Sequence, residues 1–374
     1  MYTRILENKL KEHLFLGKAI IVYGPRQVGK TTLLKSLISK LPGKRVSFLS
    51  CDEPQNRNAL SGKSSIELRS YIGDVDIVVI DEAQLVENIG LTIKLLVDNY
   101  PKLQVIATGS SSFDLANKIT EPLTGRAFEF SLYSFSLQEL ELNTNRADVM
   151  LSLERFLTYG LYPAVVINPE LAKKNISLIT GGFLYKDLLA YGGIRKPELL
   201  EKILRNIAHS EGRELPISTI AQNTDGTQPT VESYITLLEQ AHLIIKLSGF
   251  HNNPLLSIRK QKKYFITDVG LSNTFWGENL NLEAHIGRLF ESMCIMERIK
   301  FHTNNGRIPN LFFWRNDTNS EIDLVDKTIG FEKVFEFTWS PNKAKKKKTP
   351  NSFKKMSDLP VTVICKENFW EIYQ

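Results

Sequence analysis

Over the first 145 residues, short apolar runs alternate with stretches of helical periodicity. The runs at Ala19–Tyr23, Arg45–Ser50, Asp76–Ile80, Leu103–Thr108 and Ala127–Leu132 are too short for helices and rich in Val, Ile or Phe. Strands separated by helices build a parallel sheet with covered faces, which predicts an α/β domain over residues 1–145. Residues 146–196 read as a helical linker, broken by Gly160, Gly181-Gly182 and Gly192-Gly193. From about Pro197 to Lys246 the pattern is a run of short helices. Leu199, Ile203 and Ile207 share a helical face, Ile217–Ala221 is a short helix, and Thr224–Pro229 is a Gly/Pro turn. Thr230–Ala241 then turns Val231, Tyr234, Leu237 and Leu238 inward. Residues 271–374 return to strand patterning at Asn310–Trp314, Glu321–Val325, Lys333–Thr338 and Pro360–Cys365, preceded by a helix over His285–Ile299. No internal repeat is present.

A chain of 374 residues is long for one core, in keeping with this division. No apolar run approaches the roughly 18 residues of a membrane helix, which predicts no membrane span. The N-terminal stretch mixes charge with apolar residues and lacks a signal-peptide core. Cys51, Cys294 and Cys365 have no metal-ligand spacing and cannot all pair, so a reducing, cytoplasmic setting is expected. The net charge of +6 is spread thinly and does not by itself argue for nucleic acid. Two clusters stand out, Arg259, Lys260, Lys262 and Lys263, and Lys343 with Lys345 to Lys348; such runs are commonly solvated loops.

The chemistry concentrates in Gly24-Pro25-Arg26-Gln27-Val28-Gly29-Lys30-Thr31, which follows an apolar strand and opens a helix over Lys30–Lys40. This is the context a phosphate-binding P-loop requires. Gly24 and Gly29 let backbone N–H groups turn toward phosphate oxygens, and the helix N-terminus adds partial positive charge. Lys30 would reach the β- and γ-phosphates of ATP, and Thr31, followed by Thr32, would offer a hydroxyl to Mg²⁺. A second apolar strand ends in Asp81-Glu82. Asp81 fits the Mg²⁺-holding carboxylate and Glu82 the base that polarises attacking water. Gln84 could position water or cap the next helix. After the strand Leu103–Thr108, Ser110 is the candidate γ-phosphate sensor, although a turn of small residues reads the same way. Arg126 is the candidate arginine finger, in cis or from another copy in an oligomer, or else a surface arginine. Arg26 could lie near phosphate or a partner subunit.

These residues resemble a family of prokaryotic AAA+-type ATPases that join an N-terminal P-loop domain to a C-terminal domain of uncharacterised function. The matching stretches are GPRQVGKTTLL (24–34), VVIDEAQ (78–84), ATGSSS (107–112), LTGRAFEFSLYSFSLQEL (123–140) and DLLAYGGIRKPELL (187–200). The resemblance implies ATP and Mg²⁺ as ligands, ATP hydrolysis, and DNA or a protein as partner. Residues 197–270 resemble a winged helix. Its second helix would present Thr227, Gln228, Thr230, Glu232 and Ser233, with a wing near Phe250–Tyr264, and it would serve either DNA or protein packing. Residues 271–374 resemble the α/β core of PD-(D/E)xK nucleases, with Glu291, Asp323 and Glu336 as the metal-binding carboxylates. That chemistry also needs a lysine beside the water, and the last motif reads Glu336-Phe337-Thr338. Threonine cannot supply that charge, which argues against cleavage unless Lys333 or the lysine run substitutes. The readings left open are therefore a Mg²⁺-dependent ATPase coupled to DNA or another macromolecule, an ATP-regulated nuclease, and a nucleotide-gated switch with negligible turnover.

Overall fold

The computed structural model describes residues 2–109, 123–183, 194, 196–251, 262–277, 281–316, 318 and 320–374. Strands β1 (Ala19–Tyr23), β2 (Val46–Ser50), β3 (Ile77–Asp81), β4 (Gln104–Gly109) and β5 (Ala127–Ser131) form an all-parallel sheet in the order β2-β3-β4-β1-β5. Each strand matches an expected run to within a residue or two. β1 and β3 are buried at every position, as strands covered on both faces must be. Ile20 and Val22 meet Leu6, Leu10, Leu33, Leu34 and Leu37 from the helices Leu6–Glu12 and Lys30–Ser39. Ala19, Ile21 and Tyr23 point the other way, into a core with Leu60, Leu68 and Ile93. The strand order reverses at β1, and in open α/β sheets the ligand crevice forms at such a reversal, beyond the C-terminal strand ends.

The middle of the chain is helical, from Arg146–Tyr159 to Gln228–Gln240. Pro197–Ser210, Ile217–Thr224 and Gln228–Gln240 pack through Leu200, Ile203, Ile207, Ile220, Val231 and Leu238, which join the same core as Ile20. A six-stranded mixed sheet follows: β6 (Ile244–Gly249), β7 (Lys262–Ile266), β8 (Leu311–Arg315), β9 (Glu321–Asp326), β10 (Lys333–Phe337) and β11 (Val361–Ile364), in the order β11-β10-β9-β8-β6-β7. The long helix Leu282–Thr303 lays Phe290, Met293 and Cys294 against Phe313, Leu324 and Phe335 of this sheet.

The boundary expected at residue 270 runs through that sheet. β6 and β7 lie before it, yet β6 pairs in parallel with β8 through Ser248↔Phe312 and Gly249↔Phe313. An isolated hairpin would leave unpaired N–H and C=O groups along β6, and β8 takes them up. β6 and β7 carry no strand reading in the sequence, and apolar runs say nothing about which strand pairs with which.

A tight crossing ties the middle of the chain to the segment after β7. The Asp268 carboxylate is buried and accepts from Leu161 N–H, the Ser134 hydroxyl, Gly270 N–H and Leu271 N–H. A Cβ on Gly160 would sit 1.8 Å from Asp268 Oδ1, and one on Gly270 would sit 2.0 Å from the Tyr159 carbonyl, so only glycine fits at either place. Asp268→Ala would strand several buried donors, each costing about 1–3 kcal/mol, and is expected to lower stability by about 3–5 kcal/mol. Urea unfolding followed by circular dichroism measures this; a loss under about 1 kcal/mol would mean that the donors find other partners.

Candidate nucleotide site

The segment between β1 and the helix Lys30–Ser39 forms a loop with three residues at positive φ: Gly24 (150°), Gln27 (61°) and Gly29 (95°). This alternation curls successive N–H groups toward a common centre, an anion-binding nest at a helix N-terminus. Gly24 cannot be replaced, because a Cβ there would lie 2.0 Å from the Leu132 carbonyl at the end of β5. The Lys30 ammonium is buried and donates to the carbonyls of Gly24 (2.8 Å) and Pro25 (2.9 Å), which keeps it curled over the loop.

β4 lies between β1 and β3, so its C-terminal end separates the P-loop from Asp81, and Thr108 fills that gap. The Thr31 hydroxyl donates to Asp81 Oδ2 at 2.8 Å, and the Thr108 hydroxyl donates to Asp81 Oδ1. Glu82 N–H in turn donates to Thr108 Oγ1 at 3.1 Å. A hydroxyl and a carboxylate side by side are hard oxygen donors, the type Mg²⁺ takes while keeping several waters. The residues therefore fit an ATP–Mg²⁺ pair: nest and Lys30 for the phosphates, Thr31 and Asp81 for the metal. Glu82 sits in the left-handed region (φ 53°), just beyond β3, and its Oε2 accepts from Gln84 Nε2 at 2.5 Å. This bond places Gln84 on the carboxylate of Glu82.

Arg126 requires a correction for its own chain. It immediately precedes β5, which runs parallel to β1 with Ala19 opposite Ala127, so it lies at the end of the sheet away from the P-loop. There it pairs with Asp98 at 2.7 Å, and it cannot complete the site in cis. Ser110 lies outside the described residues; on β4 itself, Thr108 holds the strand-end position.

Three participants have no signature in the sequence. Arg4 is buried, and its guanidinium donates to Val28 O of the P-loop (2.8 Å), to Tyr133 O (2.8 Å) and to Glu139 (2.9 Å). Tyr133, just after β5, shares a hydrogen bond of 3.1 Å with Nδ1 of His242, from the turn that leads into β6. Burial and the Lys30 charge together pull the His242 pKa down to about 4, so it is neutral at pH 7. No motif surrounds Arg4 or His242, and Tyr133, though it lies within the matching stretch 123–140, carries no spacing that points to His242; only their placement reveals them.

A second cluster lies on the mixed sheet. Glu321 and Asp323 share a face of β9, and Asp323 lies one step beyond the Phe335–Leu324 pair of β10 and β9, opposite Glu336. Lys347 Nζ stands 2.5 Å from Glu336 Oε2 and 3.3 Å from Asp323 Oδ2. Lys263 on β7 reaches Glu291 at 3.6 Å and also pairs with Glu321. Asp323 and Glu336 are thus bridged by Lys347, whereas Glu291 is bridged by Lys263 to Glu321. Thr338, in contrast, donates its N–H to the Ile364 carbonyl, and Lys333 reaches the carbonyl of Gln374. Among the described residues, no three His, Cys, Asp or Glu side chains are gathered closely enough to hold a metal ion.

Burial and the neighbouring Asp323 raise the pKa values of Glu336 and Glu291 to about 8 each. Between the ordinary carboxylate range and pH 8 the folded chain then binds more protons than the unfolded one, so stability falls as pH rises through that window. A lower melting temperature at pH 8.5 than at pH 6.5 is expected, with a shallower slope in Glu336→Gln. An unchanged slope in that variant would mean Glu336 is ionised throughout.

Three family models match successive parts of the chain. Residues 16–141 match the family model described as an AAA domain. The N-terminal module is an AAA-type P-loop domain. Residues 150–284 and 286–368 match two domains of unknown function, DUF8612 and DUF4143. An uncharacterised protein of Mycobacterium tuberculosis is 26% identical over 336 residues, covering 88% of this chain and 72% of that one. One of Haemophilus influenzae is 26% identical over 233 residues, covering 59% and 57%. Among solved structures, a Walker-type ATPase of Pyrococcus abyssi aligns with TM-score 0.49 and 19% identity, covering 72% of this chain and 94% of that one. AMPPCP-bound DnaA of Aquifex aeolicus aligns with TM-score 0.30 and 14% identity over 63% and 86%. No helix among the described residues is long and apolar enough to cross a membrane.

Proposed function

We propose that this protein is a Mg²⁺-dependent ATPase that passes its nucleotide state to the C-terminal modules and through them to DNA. The observation that carries the coupling is the chain of contacts from Val28 O through Arg4 to Tyr133 and on to His242. It joins the P-loop backbone to the turn before β6. When bound, Mg²⁺ neutralises charge on the β- and γ-phosphate oxygens. Lys30 and the loop N–H groups orient the phosphates, Thr31 and Asp81 hold the metal, and Glu82 takes the proton of the attacking water. Displacement of Lys30 from the Gly24 and Pro25 carbonyls by phosphate would shift the loop that Arg4 grips. Arg4 would pass that shift to Tyr133, and Tyr133 to the hairpin.

The DNA partner is supported by three helices followed by the antiparallel β6–β7 hairpin, with a backbone bridge between Glu214 and Lys263, an arrangement of winged-helix type. Thr227, Gln228, Glu232 and Ser233 are exposed at the start of the third of these helices, where a groove-reading helix makes its base contacts. The test is ATP turnover with and without double-stranded DNA at two salt concentrations. Stimulation that weakens with salt is expected, because phosphate contacts release counterions. His242→Ala should keep basal turnover and lose the stimulation. Turnover indifferent to DNA at low salt would remove DNA as the partner.

A second reading, an ATP-regulated nuclease, is favoured by Lys347. It brings to Asp323 and Glu336 the charge that Thr338 lacks, from the lysine run rather than from the strand. Incubation of plasmid DNA with Mg²⁺ or Mn²⁺ decides it: cleavage lost in both Asp323→Ala and Lys347→Ala supports this reading, and intact plasmid with either ion dismisses it.

A further inference from the structure

The lysine run of the C-terminal region is part of a built surface rather than a free loop. Between Glu336 and Asp358 the chain holds seven lysines and no acidic residue. This segment joins β10 to β11, which are parallel neighbours, so it must cross one face of the sheet. Phe353 marks the crossing. It is buried with Trp314, Ile322, Val325 and Val334, and its ring lies 5.2 Å from that of Trp314. Trp314, Val325 and Val334 are the sequence neighbours of Phe313, Leu324 and Phe335, which meet the long helix, so the segment covers the opposite face. Ser340 caps the short helix Pro341–Ala344, and the Asn316 amide donates to the Ser352 hydroxyl at 3.1 Å, which fixes the helix Asn351–Lys354.

Of the seven, Lys347 turns toward the sheet and meets Glu336 and Asp323. Lys343, Lys345, Lys346, Lys348, Lys354 and Lys355 are exposed, and among the described residues none of these six enters an ion pair. Like charges gathered on one surface repel one another, and a polyanion laid across them removes that repulsion. A segment that lies on a membrane needs large apolar side chains on its outer side. Here they are turned inward: Phe353 is buried, and Trp339, Met356 and Leu359 pack against the cores. The closely spaced phosphates of a duplex are the better match. Lysine offers a point charge rather than the planar fork that reads a guanine edge, which suits backbone contact.

We propose that the lysine band over residues 343–355 docks the phosphate backbone of double-stranded DNA without reading its sequence. The proposal rests on the DNA reading above and adds a second surface to the helix Gln228–Gln240. The band leads into β11, at the opposite edge of the six-stranded sheet from β7.

Fluorescence anisotropy of a labelled duplex with the full chain, over a series of salt concentrations, tests this. Lys345→Gln, Lys346→Gln, Lys354→Gln and Lys355→Gln, combined, remove four charges that hold no other part of the chain, so the melting temperature should stay as in the wild type. Duplex affinity should fall by at least about tenfold at about 0.1 M salt. The slope of log K against log salt should flatten by about 3, because each phosphate contact contributes about 0.9. The same four positions changed to Arg should keep both affinity and slope; a loss equal to that of the Gln variant would overturn charge as the cause. Duplexes of unrelated sequence should weaken by the same factor, and a loss confined to one sequence would overturn sequence-independent docking. If the wild type binds duplex and the Gln variant matches it in affinity and slope, the band is overturned and the DNA reading stands. If the wild type leaves duplex free even at about 50 mM salt, the DNA reading falls and the docking role of the band with it. Retention on phosphatidylserine vesicles by the wild type but not by the Gln variant would then assign the band to a lipid surface.

Discussion

Lys30→Ala is expected to reduce ATP affinity by at least about a hundredfold, without unfolding the chain. The ammonium is buried, lies at the mouth of the nest and bonds carbonyls 2.8–2.9 Å away. Phosphate oxygens are stronger acceptors than those carbonyls, and a hydrogen bond between charged partners contributes about 1.5–3 kcal/mol. Removing two such bonds to phosphate costs about 3–6 kcal/mol, or a factor of more than about a hundred in Kd. Removing the side chain leaves room for water at the two loop carbonyls, so the melting temperature should move little. Titration calorimetry beside thermal unfolding separates the two effects. Affinity close to wild type in a folded variant would remove Lys30 from the site.

Glu82→Gln should do the reverse, holding ATP while losing turnover. The substitution keeps the shape and the backbone bond to Thr108, which belongs to the amide of residue 82 and not to its side chain. It removes only the capacity to take a proton. General-base catalysis contributes about 10²–10⁴-fold, so phosphate release should fall by that factor while Kd for ATP changes by less than about threefold. The left-handed backbone at Glu82 (φ 53°) makes the comparison fair, because Gln and Glu pay the same conformational cost there. A rate untouched in this variant would mean that another group activates the water.

The nucleotide domain is legible in the sequence because its signals are local. A nest needs glycines at fixed spacing, a strand needs an apolar run, and Asp81-Glu82 must end a strand for Asp81 to stand beside Thr31. What the sequence does not supply is anything set by distant pairing. Arg4 meets Glu139 across 135 positions of chain and His242 meets Tyr133 across 109, and neither contact has a spacing to read. Arg126 misleads for the same reason: adjacency to a strand does not tell which end of the sheet the strand begins from. The nuclease-like motif looks for its lysine at residue 338, a short step along the strand, whereas the lysine that meets Glu336 arrives from a separate segment at 347. Lys333 and the lysine run are both open in the sequence as the source of a cation there, and only the fold shows that Lys347 meets Glu336.

Lys263 gives the joined sheet a further property. It belongs to β7, is fully buried, and is the cation for Glu291 on the long helix and Glu321 on β9. Successive strand residues face opposite sides, so a slip of one residue in the β6–β7 pairing would turn Lys263 to the other face. Lys263 would then lose Glu291 and Glu321 as partners and Glu321 its cation, and uncompensated charge in a poorly solvated place costs several kcal/mol. The lysine thus works as a key cut for a single alignment, penalising misregistered hairpins during folding before any nucleotide is bound.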